Sequence, residues 1–323
     1  MSFQRVITLL TEGSSFLLIT HRDPDGDGVG SMLALGGALS KAGKDVVLFT
    51  EKRLSPSLSL LRGAKRIVQR FDPGKDFDAV VALDCAELAR LGKLADYSEG
   101  AKPLINIDHH ETNDLFGDLN LVDTNSSSTG ELVFKVINTM GIPVDSEVAE
   151  NLFAAIQTDT GSFRYHNTTS TSLKIAAEMM EHGVNPWEVS RKIMDRYEPS
   201  RLRLLEMALG TIEFHHEGKI GMMTLSSDMF KKANAHQGDS ERFVDYPRFV
   251  SGVEIAVMIR ETGENDYKFS LRSNNEVNVA QLASLFGGGG HARAAGFECH
   301  GSIGVLKEDL LIKAGWFLNG TFN

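Results

Sequence analysis

Four apolar runs in the first third of the chain are nearly continuous instead of alternating: residues 16–20 (FLLIT), 45–50 (DVVLFT), 77–84 (FDAVVALD) and 103–108 (PLINID). A strand that is apolar on both faces must be covered on both, which is the condition of a parallel sheet inside an α/β domain. Between the first two runs, residues 30–44 (GSMLALGGALSKAGK) carry helical spacing and stop at Gly43, a C-capping residue type. That makes a strand–helix–strand crossover. The expected fold class is α/β: an N-terminal doubly wound, mainly parallel sheet plus a smaller C-terminal α/β domain.

From residue 128 to about 210 the pattern is mostly helical, with ELVFKVINTMG, SEVAENLFAAIQTD, SLKIAAEMMEHG and RLRLLEMALG each offering one apolar face. Strand-like segments return at 219–225 (KIGMMTL), 253–260 (VEIAVMIR) and 267–272 (YKFSLR), followed by a helix near 279–286. A chain of 323 residues exceeds what one core usually holds. The expected division is a first domain over 1–195, a helical linker over 196–215 and a second domain over 216–323. Met179, Met180, Met194, Met207, Trp187 and Trp316 are expected in the cores.

Bulk properties remove several classes. No apolar run reaches the roughly 18 residues of a membrane span, and the N-terminus lacks a signal-peptide pattern, so a soluble cytoplasmic protein without membrane partners is expected. Cys85 and Cys299 supply neither a disulfide framework nor a CxxC zinc site, and both are expected reduced and buried. A formal charge of −10 opposes a general grip on long nucleic acid, which needs many cations releasing counterions. A short anionic substrate remains compatible, because bound divalent cations can supply the positive charge.

Acidic and imidazole groups sit at or just past the ends of apolar runs, where open α/β sheets hold their ligands. They are His21, Asp25 and Asp27 after FLLIT, Asp84 closing FDAVVALD, Asp108-His109-His110 closing PLINID, and Asp159 in IQTDTGSF. Carboxylates suit Mg²⁺ and Mn²⁺, and imidazole shifts the preference toward Mn²⁺ or another transition ion. Two such ions can clamp the attacking and leaving oxygens of a phosphoryl displacement and lower the pKa of a bound water. Singly, Asp84 reads as a helix N-cap, Asp108 as a turn residue and His109-His110 as a surface pair; their co-occurrence favours the metal reading. A calcium EF-hand opening at Asp23-x-Asp25-x-Asp27-Gly28 fails because Ala34 stands where a bidentate Glu is required.

HRDPDGDGVGS, VALDCAE, NIDHHETN and IQTDTGSF, in this order and spacing, resemble the four signature motifs of the DHH phosphoesterase family over about the first 165 residues. The resemblance implies His21 and Asp25 as ligands of one metal, Asp27, His109 and Asp159 as ligands of the other, and Asp84 as the bridge. It further implies that Asp108 orients His109 and that His110 faces the scissile phosphate. The implied cofactor is a pair of divalent cations, Mn²⁺ foremost, with Mg²⁺ or Co²⁺ as alternatives. Relatives often carry Asn at the position of Asp23, which is left outside the ligand set.

Four consecutive glycines, 287–290, precede His291. Such a run is costly in backbone entropy, and its backbone N–H groups can approach an anion closely. It lacks the GK[ST] of a Walker loop and follows a helical pattern instead of a strand, unlike a dinucleotide fingerprint. SLRSNNEVNVAQLASLFGGGGHARAAGF resembles the core of the DHH-associated C-terminal domain. By that resemblance Arg272, Gly288, Gly289, Gly290 and His291 bind the far phosphate of the substrate, while Asn274 replaces a basic residue of relatives and Arg260 is a weaker candidate. His166, His182, His215, His216, His236 and His300 are read as structural or exposed.

Within the family the chain looks most like the bacterial nano-RNase and pAp phosphatase type. That implies hydrolysis of short RNA oligonucleotides and of 3′-phosphoadenosine 5′-phosphate (pAp) by a metal-bound hydroxide, and a homodimer by analogy with similar proteins. The alternatives are a cyclic-dinucleotide phosphodiesterase, an inorganic pyrophosphatase or exopolyphosphatase, and a non-enzymatic nucleotide-binding regulator.

Overall fold

The computed structural model describes residues 2–72, 74–95, 102–194 and 197–320. The chain divides into two compact units, Met1–Arg196 and Tyr197–Asn323.

The first unit begins with α1 (Ser2–Glu12), β1 (Ser15–Thr20), α2 (Gly26–Lys41), β2 (Asp45–Phe49) and β3 (Ile67–Val68). It continues through β4 (Ala79–Leu83), β5 (Leu104–Asp108) and β6 (Leu119–Val122) into α3 (Thr129–Thr139), α4 (Ser146–Asp159), α5 (Ser170–Glu181) and α6 (Pro186–Ile193). The strands lie in the order β3-β2-β1-β4-β5-β6, every neighbouring pair parallel. Burial on both faces explains the continuous apolar runs. Leu18, Val81 and Ile105 join the core built with α2, α3 and α4, while Leu17, Ile19, Val80 and Ala82 pack against Phe77, Leu91 and Leu94 on the opposite face. The strand order reverses between β1 and β4, which opens a crevice beyond their carboxyl ends.

Helix α2 starts earlier than its apolar periodicity predicts. The Asp25 carboxylate caps it, accepting from the Asp27 and Gly28 backbone N–H groups at 3.1 Å each. Its glycines admit α4 closely: a Cβ on Gly30 would lie 2.6 Å from the Asn151 carbonyl oxygen, whereas one on Gly37 would meet only ordinary contacts, the nearest at 3.4 Å.

The second unit comprises α7 (Pro199–Leu209), β7 (Glu213–His215), β8 (Ile220–Leu225), α8 (Ser227–Ala233), α9 (Asp245–Arg248), β9 (Ile255–Gly263) and β10 (Asp266–Ser273). After them come α10 (Val279–Ser284), β11 (Gly289–His291), β12 (Ala294–His300) and α11 (Ile303–Leu318). Its sheet runs β11-β12-β10-β9-β8-β7, antiparallel except for the β8–β9 pair. Phe269, Leu271 and Val257 pack toward α10 and α11 on one face; Met223, Leu225 and Ala256 meet α7 on the other.

Several expectations need correction. The stretch expected as a linker holds α7, whose Leu204 and Ala208 are fully buried in this unit's core, so it is part of the second unit; positions 195 and 196 lie outside the described residues. Met180 is 50% exposed because it turns away from the buried face that its neighbour Met179 occupies. Trp187 is 65% exposed beside the Arg191 guanidinium, and Trp316 is 39% exposed. Cys299 is only partly buried. The glycine run also has a packing cause: Gly289 and Gly290 enter β11, and a Cβ on Gly288 or Gly290 would lie 2.2 Å from Gly296 O or 2.5 Å from Ala294 O. Among the described residues no helix is long and apolar enough to cross a membrane.

The close α2–α4 approach predicts opposite outcomes for two alanine substitutions on one helix. Gly30→Ala should cost on the order of 1–3 kcal/mol by forcing the helices apart, whereas Gly37→Ala should be neutral or stabilising by up to about 1 kcal/mol. Urea denaturation of both variants, read on the transition of the first unit, measures the difference.

Candidate metal centre

The crevice between β1 and β4 gathers His21, Asp25, Asp27, Asp84, Asp108, His109, His110 and Asp159. His21 directly follows β1, and Asp25 and Asp27 stand at the start of α2. Asp84 follows β4 with φ +59°, a left-handed conformation uncommon outside glycine that turns the chain off the strand. Asp108 ends β5, with His109 and His110 next, and Asp159 ends α4.

The donor atoms form interlocking triads, each with all atoms within 4.8 Å of one another: His21, Asp25 and Asp84; Asp27, His109 and Asp159; Asp84, Asp108 and His110. His21 Nε2 lies 3.8 Å from Asp25 Oδ1 and 3.7 Å from Asp84 Oδ2. His109 Nε2 lies 3.7 Å from Asp27 Oδ2, 3.8 Å from Asp84 Oδ1 and 3.6 Å from Asp159 Oδ2. These separations are too long for good hydrogen bonds. Ligands about 2.1 Å from one shared ion stand roughly 3–4 Å apart, so the spacing suits a cation between them.

Electrostatics points the same way. Burial and the neighbouring carboxylates of Asp84 and Asp159 hold the Asp27 pKa well above the usual range. Burial likewise pushes Asp159 up to about 6, against the opposing pull of His109. Asp84 is held low even though burial alone would raise it, because His21, His110 and His109 surround it. Burial alone would lower His21, but the Asp25 and Asp84 carboxylates outweigh it and hold it at about 9. The cluster thus carries more buried carboxylate than its imidazoles neutralise, and a divalent cation resolves that excess. The residues present fit such a group.

Several supporting residues were not among the expected site residues, although Asn106 and Asn113 begin and end the NIDHHETN motif. The first residues of α3 face Asp27: Thr129 N–H donates to Oδ2 at 2.7 Å and Gly130 N–H to Oδ1 at 2.9 Å. The Thr129 hydroxyl donates to Asp84 Oδ1 at 3.1 Å, so one residue touches both carboxylates. The only sequence signal was the Ser/Thr/Gly run preceding the helix. Asn167 donates to Asp159 Oδ2 at 3.0 Å. Asn113 donates to Asp108 Oδ2 at 2.6 Å, and Asn106, also reached by Asn113, anchors to Cys85 O.

One expected role changes. Asp108 Oδ1 takes the Nδ1 proton of His110 at 2.7 Å, whereas His109 Nδ1 reaches Ser126 O at 3.3 Å. Asp108 therefore orients His110, and a backbone carbonyl orients His109. Although burial opposes it, the Asp108 carboxylate raises the His110 pKa and is itself held low in return. Asp23 serves the loop instead, pairing with Lys52 Nζ at 2.5 Å.

In the second unit, Arg272 on β10 stands opposite Ala294 on β12, which stands opposite His291 on β11. Cross-strand partners share a face, so Arg272 and His291 flank the small Ala294 side chain, about 10 Å apart along the sheet. Asn274 binds the Arg248 and Val253 carbonyl oxygens, at 2.7 and 2.9 Å, and so has a structural task. Arg260 donates to Gln237 O and Ser240 Oγ, fastening a surface turn.

The family model of the DHH family, N-terminal domain, matches residues 15–156, and that of the DHHA1 domain matches residues 220–313. The bifunctional oligoribonuclease and PAP phosphatase NrnA of Thermus thermophilus is 36% identical, covering 88% of this chain and 84% of that protein. Among solved structures, an exopolyphosphatase-related protein from Bacteroides fragilis aligns with a TM-score of 0.89 at 28% identity, over 98% of this chain and 96% of that one. The RecJ structure with Mn²⁺ from Thermus thermophilus shares the fold at a TM-score of 0.56 and 13% identity, matching 100% of this chain and 55% of that one. With both domain types matched in order and the motif residues gathered at one sheet edge, the chain belongs to the DHH family and is a hydrolase of phosphoester bonds.

Proposed function

We propose that this chain hydrolyses short RNA oligonucleotides and pAp at two divalent cations, Mn²⁺ foremost. The observation that carries the reading is Asp84, whose two oxygens face separate triads. The name of the 36% identical relative supplies the substrate classes. His21, Asp25 and Asp84 would hold one ion; Asp27, His109, Asp159 and Asp84 would hold the other. Bound there, the cations would polarise the phosphoryl group and lower the pKa of water.

The chain's own groups do the rest. Asp108 raises the His110 pKa and fixes its ring, which favours the doubly protonated form whose remaining N–H would serve as a donor to the phosphoryl or leaving oxygen. In the second unit, Arg272, His291 and the bare backbone of Gly289 and Gly290 would take a phosphate distant from the scissile one; the Gly288 N–H, expected to join them, is instead donated to Ala283 O at 3.0 Å. A guanidinium fork suits that anion, and binding it remotely would make substrate length a determinant of rate.

Turnover of a dinucleotide, a trinucleotide, a 24-mer, a cyclic dinucleotide, pAp and pyrophosphate in Mn²⁺ and in chelator tests the reading. The expected result is metal-dependent cleavage of the short RNAs and pAp, lowered about a thousandfold or more in Asp84→Ala as several kcal/mol of charge stabilisation is lost. Pyrophosphate or the cyclic dinucleotide turning over faster would overturn it.

Thr129→Val should weaken Mn²⁺ binding about 10- to 100-fold, the usual cost of losing a hydrogen bond to a ligating group, and Thr129→Ser should restore it. Isothermal titration of the metal-free protein reads both.

Without metal, His21 has its folded pKa near 9, above its ordinary 6.5, so its stabilising contribution is complete below pH 6.5 and is lost as pH rises through 9. The melting temperature of chelated protein should therefore fall across that window. Added Mn²⁺ should raise it, and more so at the alkaline end, where the cation no longer competes with a proton. A flat profile in chelator would contradict the electrostatic account.

A further inference from the structure

We propose that an open cleft at the carboxyl ends of β2 and β3 receives the nucleotides of an RNA oligomer that extend past the scissile phosphate, an inference that rests on the function proposed above. The cleft has a volume of about 740 Å³ and is lined by Glu51, Arg53, Ile67, Val68, Gln69 and Arg70. Its place in the sheet follows from register. Ile19 pairs with Phe49, and Phe49 pairs with Val68, so the chain leaving β3 emerges two strand spacings, about 10 Å, from the chain leaving β1 at His21. Both exits are on the carboxyl edge that carries the metal-binding carboxylates.

The chain carries a net charge of −10, yet this cleft presents two cations. Neighbouring basic side chains are paired: Arg66 with Glu147, Arg62 with Glu150, Lys52 with Asp23. Among the described residues, the Arg53 and Arg70 guanidinium groups have no ion-pair or hydrogen-bond partner, and both are exposed on the cleft. The carboxylate on the same wall, Glu51, is directed to the Lys93 N–H at 3.4 Å. The same lining includes exposed Val68 and the Gln69 amide. Two free guanidinium groups over an apolar floor match a nucleotide: cations for phosphates, a nonpolar and planar surface for a base, and an amide for its edge.

The cleft is joined to the reaction site by covalent and ionic links. Lys52, next to Arg53, pairs with Asp23 at 2.5 Å, and Asp23 belongs to the loop that carries His21 and Asp25. A strand seated against Arg53 would thus be read by a wall fixed to the metal-binding loop. A substrate with one nucleotide does not reach this wall; a longer one does.

The test compares wild type with Arg53→Ala/Arg70→Ala and Arg53→Lys/Arg70→Lys double variants on pAp, diadenylate and tetra-adenylate in Mn²⁺ at several salt concentrations. For the alanine pair we expect KM for tetra-adenylate to rise about tenfold or more with kcat within about twofold, pAp kinetics to stay unchanged, and the salt dependence of log kcat/KM on tetra-adenylate to shrink by about one to two units. The lysine pair should keep the salt dependence and recover part of the KM. Equal losses on all three substrates, or no loss on tetra-adenylate, would overturn the proposal. If wild type cleaves none of the three, the proposed function fails, and the cleft is judged by fluorescence anisotropy of labelled tetra-adenylate on chelated protein. There, about tenfold weaker binding to the alanine pair upholds it and equal binding sinks it.

Discussion

The structure of the first unit is organised around a concentration of buried carboxylate that the fold must neutralise. Asp27 and Asp84 are almost fully buried within reach of Asp25 and Asp159. Left alone, such a group would be protonated or would unfold its surroundings. The chain meets this with three imidazoles, with the opening amides of α3 aimed at Asp27, and with a hydroxyl from Thr129 on Asp84. A helix N-terminus stabilises an anion through its free N–H groups and its dipole. These devices stabilise the carboxylates only in part, since Asp27 and Asp159 still sit well above their usual range. The remaining deficit is one that a bound cation could offset.

That demand reaches into the packing. The first turn of α2 lies close against β1 and Asp84, and the first turn of α3 close against α4, and a glycine in each makes the approach possible. A Cβ on Gly28 would lie 2.3 Å from Thr20 Oγ1 and 3.4 Å from Asp84 Oδ2; one on Gly130 would strike Ala155 at 2.6 Å. The DGDG spacing therefore combines two functions, carboxylates for charge and missing side chains for approach. The parallel sheet supplies the frame. Its order reverses beside β1, so the loops leaving β1 and β4 diverge in sequence yet end side by side.

What the sequence made legible follows from the same physics. Strands buried on both faces leave unbroken apolar runs, and β1, β4 and β5 were readable for that reason. The convergence of the acidic and imidazole groups was readable because such residues seldom recur at the ends of several strands by chance. The partners that orient them were not. Thr129 reaches Asp27 and Asp84 from far along the chain, while Asn113 and Asn167 hold Asp108 and Asp159 from five and eight residues away, and nothing in their local pattern distinguishes them from ordinary caps and turns. The Asp108 partner was misassigned for a related reason: adjacent imidazoles differ only in which way the backbone turns them. Trp187 shows a third limit, since an aromatic at the second position of α6 can stack on a neighbouring arginine at the surface as readily as enter a core.

The glycine run in the second unit illustrates how packing alone can demand glycine beside a polar row of side chains. Gly288 and Gly290 have no space for a Cβ because β12 runs against them, which is sufficient to explain why they are glycine. The same absence of side chains leaves the strand's surface bare beside His291, in a row with Ala294 and Arg272. Had either glycine been needed only for flexibility, a larger residue would be tolerated in the folded state; here it would displace the strand that sets the Arg272–His291 spacing. Packing thus fixes the separation of the backbone positions from which the Arg272 and His291 side chains reach.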